Sequence, residues 1–232
     1  MKKKSVIMAS LLLVTALAGT QGQAAIKEAE SNATIKTIPG DGATAPVDPD
    51  NPDQPLDPLN PEEGEATGNE GALTIDYIPH LNFGNQIKIE TKQMEVNLKN
   101  ETTPFAQVTD KRGNGEGWTL KASLSQFTAE NTGRSIRGAA IELREPEVMT
   151  STSNVLPEDA PTAKSQTLEA GGQTKVLMTA QKDQGRATWL VKYPKSGGEN
   201  SNIRFTAPAA SLDAQTFYKA AITWELYDGP TI

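Results

Sequence analysis

The residue types that could carry catalysis are few in this chain. His80 is the only histidine among the 232 residues, and cysteine is absent. A serine-histidine-aspartate triad needs a histidine beside a nucleophilic serine, but the sequence has no Gly-x-Ser-x-Gly turn to present one. A single histidine would leave a zinc ion with mainly carboxylate ligands, which zinc seldom uses. We therefore expect no metal site, no cofactor, and an exposed or structural role for His80.

Paired carboxylates are the remaining catalytic possibility, because glycoside hydrolysis needs two acids that converge on one bond. Two acids lie beside tryptophans: Glu116, two residues before Trp118, and Glu225, directly after Trp224. Strand alternation would place Glu225 on the face opposite Trp224, which disfavours an aromatic-lined cleft around this carboxylate. We expect a protein that is not an enzyme, with a carboxylate-dependent glycoside hydrolase as the competing hypothesis.

Two Trp-x-Leu motifs, about a hundred residues apart, are the candidate binding or signature residues. Their members are Trp118, Thr119, Leu120, Trp224, Glu225 and Leu226. In each motif the Trp and the Leu share the apolar face of an alternating segment, which favours packing in a core. A ring that stacks on a sugar would have to be exposed, so direct ligand contact stays the open alternative.

Period-two alternation of apolar and polar residues runs through the chain from residue 72 onward. The predicted strands are 73–78, 87–98, 105–109, 118–127, 139–143, 174–180, 187–193, 203–206 and 216–227. Clusters of Gly, Asn and Ser separate them, and no segment keeps a helical period. This pattern predicts an all-β domain over 72–232, an antiparallel β-sandwich or flattened barrel, with 146–161 as one long surface loop.

The first 24 residues have the pattern of a secretory signal peptide. Three lysines precede a short apolar run, and the small residues Gly22 and Ala24 mark a cleavage site after Ala24. The apolar run is shorter than the ~20 residues that a membrane-spanning helix needs. We expect an exported protein without a transmembrane segment in its mature chain.

Residues 25–71 form a segment of different composition. Prolines recur at every third position, at residues 46, 49, 52, 55, 58 and 61, and acidic residues fill the gaps. A three-residue proline step matches the polyproline II repeat, so we predict a disordered, acidic, Pro-rich linker that acts as a stiff spacer.

The net charge of −7 comes mainly from this linker, which leaves 72–232 nearly neutral. Nucleic-acid binding is therefore not expected, because it usually requires a basic face. Lys111, Arg112, Arg134 and Arg137 lie in predicted turns, where solvated loop charges are more common than contacts to anionic wall polymers.

Several motifs together resemble the WxL domain of surface proteins from low-GC Gram-positive bacteria. Residues 107–113 with 117–120 resemble its first signature, and 223–226 with 228–230 resemble its second. Residues 82–84 and 185–189 also fit, as does the order of signal peptide, Pro/Asp spacer and C-terminal domain. The chain departs from the pattern at Glu225, where many members carry a small or hydroxyl residue.

The resemblance implies a secreted protein that is held non-covalently on the cell wall, with peptidoglycan as its ligand. It also implies partnership with other WxL-type surface proteins and with a membrane-anchored interacting protein. Neither an LPxTG sorting signal nor a lipid-modified cysteine is found in the sequence, so we expect the folded domain itself to retain the protein. The alternative is a structural subunit of a surface complex that docks on the membrane-anchored partner instead of the wall.

Overall fold

The computed structural model describes residues 30–151, 156–195 and 198–230. The predicted signal peptide, residues 1–24, lies outside them. The compact unit runs over Thr37–Ile232, and residues 30–36 form no regular secondary structure. In chain order the strands are β1 Gly64–Ala66, β2 Leu73–Pro79, β3 Gln93–Leu98, β4 Phe105–Asp110, β5 Trp118–Leu124, β6 Thr128–Ala129, β7 Ala140–Leu143, β8 Glu147–Met149, β9 Thr162–Ala163, β10 Gln166–Glu169, β11 Lys175–Ala180, β12 Ala187–Lys192, β13 Asn200–Pro208, β14 Tyr218–Lys219 and β15 Ile222–Asp228. Two short 3₁₀ helices span Pro157–Asp159 and Ala209–Ser211.

These strands form three larger sheets and one small one. Their orders are β1-β2-β4-β12-β8, β10-β7-β13-β3, β15-β5-β11-β9 and β14-β6. All the strand pairs are antiparallel. The all-β prediction is confirmed, and the sheets of the described residues stay open instead of closing into a barrel.

One main hydrophobic core is built from all three larger sheets. Val108 of β4 and Leu120 of β5 have no exposed surface, and Ile141 of β7 and Ile203 of β13 belong to the same cluster. Side chains at successive strand positions point to opposite faces, so each strand needs an apolar residue only at alternate positions. This is why the period-two pattern located most strands correctly.

The stretch 146–161, predicted as a surface loop, contains strand β8. Val148 and Met149 of β8 pair with Val191 and Leu190 of β12. Both partners on β12 are fully buried, and the extra strand covers the edge of β12 that β4 leaves open. Residues 152–155 of this stretch lie outside the described residues.

Residues 40–66, predicted as part of a disordered linker, are instead part of the compact unit. The carboxylate of Asp48 accepts a hydrogen bond from the backbone N–H of Asp50 at 2.8 Å. A carboxylate that bonds the backbone two residues later folds the chain into a turn. Val47 then pairs with Pro55 in an isolated antiparallel bridge, so the proline repeat does not form an extended rod here.

Apolar side chains attach this segment to the first sheet. Val47 and Leu56 pack against a small cluster of Tyr77, Phe105 and Leu190. The rings of Tyr77 and Phe105 stack with centroids 4.3 Å apart. These contacts help to hold a segment whose composition is otherwise that of a spacer.

A buried polar network reinforces the attachment. The side chain of Gln107 donates to the carbonyl of Ala45 at 3.1 Å and accepts from the N–H of Val47 at 2.9 Å. It also donates to Asp76 at 3.0 Å, and two threonine hydroxyls donate to the same carboxylate at 2.6 Å. Asp76 is almost completely buried. Burial raises the pKa of Asp76, although these hydrogen bonds oppose the change.

Glu63 holds the end of the segment. Its carboxylate accepts hydrogen bonds from the backbone N–H groups of Glu101 and Thr102 and from the Thr102 hydroxyl. Burial alone would raise the pKa of Glu63, but the hydrogen bonds outweigh it and lower the pKa. The compact unit therefore starts at Thr37, not at residue 72 as composition predicts.

Candidate functional site

The first Trp-x-Leu motif lies in β5, between β15 and β11. Trp118, Thr119 and Leu120 have no exposed surface. The indole Nε1 of Trp118 donates to the carbonyl of Gly185 at 2.9 Å. Gly185 has a φ of +74°, and a Cβ at this position would lie 2.5 Å from Nε1. The Trp118 pocket therefore requires glycine at 185, and the predicted core role of Trp118 is confirmed.

The second motif lies in β15, which is an edge strand. Trp224 stands opposite Ala122 and Leu226 opposite Leu120, so the two motifs share one face of one ladder. Trp224 and Leu226 pack against the main core but are only partly buried. The core role predicted for Trp224 thus holds in part, because β15 has a neighbour on one side only.

Arg112 joins the flanks of the two motifs. Its guanidinium donates to both carboxylate oxygens of Asp110, at 3.0 and 2.7 Å, and to the carbonyl of Gly117 at 2.6 Å. It also pairs with Asp228, at the end of β15. The Arg112 side chain is 11 % exposed, so the prediction of a solvated loop charge is wrong for this residue. Arginine forms such bidentate pairs because its planar fork matches a carboxylate.

The side chains of β5 and β15 that point away from the core form a polar surface. We call it the outer face; it comprises Lys121, Ser123, Thr223, Glu225 and Tyr227. Thr119 shares their register but is fully buried beneath this surface. Glu225 stands opposite Lys121 in the ladder, and the Tyr227 hydroxyl donates to the Glu225 carboxylate at 3.3 Å. The Nζ of Lys121 lies 4.3 Å from the centroid of the Tyr227 ring, within cation–π range. Tyr227 is 41 % exposed.

The register does not bring the two predicted acids together. Glu225 pairs with Lys121, three residues along the strand from Trp118, which is about 10 Å at ~3.3 Å per residue. Glu116 lies before Trp118 and faces Arg112 at 3.8 Å. Glu116 therefore lies at the Arg112 end of the ladder and Glu225 beside Lys121.

His80 has an exposed side chain, and its backbone N–H and carbonyl are both hydrogen-bonded. Its N–H donates to the Glu63 carbonyl at 2.9 Å, and its carbonyl accepts from Asn100 at 2.7 Å. Within the described ranges, no three His, Asp or Glu side chains gather in a way that could hold a metal ion. No helix of the described residues is long and apolar enough to cross a membrane.

The fold defines an all-β domain of the antiparallel sandwich type, with both Trp-x-Leu motifs in one ladder. The family model described as "WxL domain surface cell wall-binding" matches residues 24–230. The chain belongs to this family, and its domain is one that associates with the cell wall at the cell surface. The match includes the whole stretch, 25–71, that composition assigns to a linker. No curated protein and no solved structure matches the chain.

Sequence reasoning missed Tyr227 and Lys121 as surface candidates. The signal was available, because the alternation that turns Trp224 inward turns Tyr227 outward on the same strand. Asp110, two residues before Arg112, is a local partner, but the burial of Arg112 also depends on Asp228, which is 116 residues away in the chain.

Proposed function

We propose that the protein is exported and held non-covalently on the bacterial cell wall through binding of its WxL domain to peptidoglycan. Membership of a family of surface wall-binding domains is the observation that carries this proposal. The proposed role is that of a binding protein without catalysis. Association with other WxL-type surface proteins and with a membrane-anchored protein belongs to the same proposal.

The outer face is the surface that we assign to the wall polymer. Peptidoglycan consists of amino-sugar strands joined by short peptides that carry both carboxylates and amines. The exposed ring of Tyr227 offers a flat apolar surface for the C–H face of a sugar. Lys121 and Glu225 place one charge of each sign beside this ring, which suits the two charge types of the peptides. The buried Trp118 and Leu120 support this face from below.

Sedimentation with purified peptidoglycan tests the proposal. The chain from residue 25 onward, the form expected after signal cleavage, is mixed with peptidoglycan freed of protein and of other wall polymers, and the pelleted fraction is measured. We expect saturable pelleting. A supernatant that keeps all of the protein at every peptidoglycan concentration would contradict peptidoglycan binding.

Docking on a partner protein predicts a different outcome in the same assay. The protein would then bind intact cells, lose that binding when the surface proteins are stripped, and leave purified peptidoglycan unbound. A wall hydrolase predicts a loss of turbidity in a wall suspension that Glu116→Gln or Glu225→Gln abolishes. We expect no such loss with the wild-type protein.

A further inference from the structure

An open apolar groove of about 990 Å³ lies over the sheet that contains β3 and β13. Its floor consists of buried side chains, among them Met94, Phe127 and Phe205. The rings of Phe127 and Phe205 meet edge to face at 5.0 Å. The rim is apolar and accessible: Ile87 is 42 % exposed and Phe217 is 63 % exposed. Exposed apolar surface continuous with a buried apolar floor is typical of a docking site.

The rim also contains a strand-forming sequence that has no strand partner. Residues 86–90 alternate Gln, Ile, Lys, Ile and Glu, and this alternation predicts a strand. The structure instead starts β3 at Gln93 and leaves 86–90 irregular, with Ile87 and Ile89 both 42 % exposed. β3 is the last strand of its sheet. An apolar, β-prone segment beside an open groove suits pairing with an extended polypeptide.

A segment with strand-forming composition occurs near the start of the same chain. Residues 34–38 read Thr, Ile, Lys, Thr and Ile, four of which are β-branched and favour strands. Ile35 is 90 % exposed and Ile38 is 82 % exposed. An exposed isoleucine favours association with an apolar surface, because burial removes its side chain from water.

Charge supports this match. The charged residues that line the groove are Glu62, Asp213 and Lys219. Asp213 pairs with Arg134 at 2.5 Å, and Lys219 pairs with an acid. Glu62 forms no salt bridge within the described part of the chain. The segment 34–38 carries Lys36 between its two isoleucines, which can neutralise Glu62.

We propose that the groove binds residues 34–38 from a second copy of this chain. The segment adds as a strand beside 86–90. Strand alternation places Lys36 and Ile38 on one face, so Ile38 enters the groove and Lys36 faces Glu62, while Ile35 lies on the opposite face. Donor and acceptor surfaces differ, so the contact is heterologous and joins copies head to tail. This self-association is independent of wall binding and would array the protein along the cell surface.

Sedimentation equilibrium over a range of concentrations tests the proposal with residues 25–232. We expect wild-type protein to form oligomers whose mass rises with concentration. A segment variant, Ile35→Ser with Ile38→Ser, and a groove variant, Ile87→Ser with Phe217→Ser, should each weaken self-association by roughly tenfold or more. All four side chains are exposed, so both variants should keep the wild-type melting temperature. Leu156→Ser, at a residue that is 61 % exposed elsewhere, is the matched control and should associate normally.

Mixing the two variants gives the decisive result. The segment variant keeps an intact groove and the groove variant keeps an intact segment, so an equimolar mixture should form a 1:1 complex that cannot extend. A mixture that stays monomeric overturns the proposal. So does wild-type protein that is monomeric at every concentration, since the groove would then serve another occupant. Both variants should still pellet with peptidoglycan, which separates failure of this inference from failure of wall binding.

Discussion

At the scale of single residues, the two tryptophans of the Trp-x-Leu motifs have different roles. Trp118 is enclosed and its indole N–H is hydrogen-bonded to the Gly185 carbonyl. Trp224 occupies the same register on an edge strand and stays partly accessible. Alternation correctly predicts that both rings face the core. It does not show that β15 lies at an edge, because strand order depends on pairing between distant parts of the chain.

Truncating each ring should therefore cost different amounts of stability. We expect Trp118→Ala to lower the free energy of unfolding by about 3–5 kcal/mol, as is typical for a buried Trp. Trp224→Ala should cost less, about 1–2 kcal/mol, because less apolar surface is removed from the core. Urea denaturation of both variants measures the difference. Equal losses would contradict the assignment of separate roles.

At the scale of elements, the attachment of residues 40–66 is what composition could not predict. The proline step and the acidic residues indicate a spacer, whereas Val47, Leu56 and Glu63 bind groups far along the chain. Glu63 contacts residues 38 and 39 positions away, and the Val47 N–H contacts Gln107, 60 positions away. Strands such as β2 and β4 are predicted well, because their alternation is a local property.

Removing the apolar contacts should release the segment locally. We expect Val47→Ser with Leu56→Ser to speed hydrogen exchange at the amides of Asp48 and Leu56, which are bonded to Gln54 and Pro46 in the folded chain. Amides in β5 should keep their protection. Hydrogen exchange followed by mass spectrometry measures both regions. Leu59→Ser, at an exposed leucine of the same segment, is the control and should change neither.

Glu63 should make the attachment sensitive to acid. Its pKa is lowered in the folded protein from the ordinary value of 4.5. A lowered carboxyl pKa stabilises the fold above the unfolded value, and this contribution is lost as the pH falls through the folded value. We expect stability to decline below about pH 4.5 and the decline to be shallower in Glu63→Gln.

Comparing wild type with Glu63→Gln separates the effect of Glu63 from that of Asp76. The pKa of Asp76 is raised, so its effect on stability changes with pH in the opposite direction. The Asp76 contribution is present below its ordinary pKa and is lost as the pH rises through the raised value. Thermal melts between pH 3 and pH 7 would supply the data. If the melting temperature changes with pH in the same way for wild type and Glu63→Gln, the Glu63 carboxylate does not hold the segment in place.

At the scale of the whole molecule, the residues that hold the sandwich together differ from the residues that we assign to wall binding. The enclosed faces of β5 and β15 hold the sandwich together, and Arg112 ties their ends through Asp110 and Asp228. The outer face leaves Tyr227 exposed, with the half-buried Lys121 and Glu225 beside it. We propose that the tryptophan and leucine of each motif support the wall-binding domain, whereas the outward-facing residues beside them, Glu225 included, contact the wall.

The most direct test of this account is a peptidoglycan-binding isotherm for three proteins. Wild type and Phe217→Ser should bind alike, because Phe217 is an exposed aromatic residue away from the outer face. Tyr227→Ser should bind at least roughly tenfold more weakly, a loss of about 1.4 kcal/mol, with little change in melting temperature. If Tyr227→Ser binds as tightly as wild type, or if wild type does not bind at all, the assignment of wall binding to the outer face is contradicted.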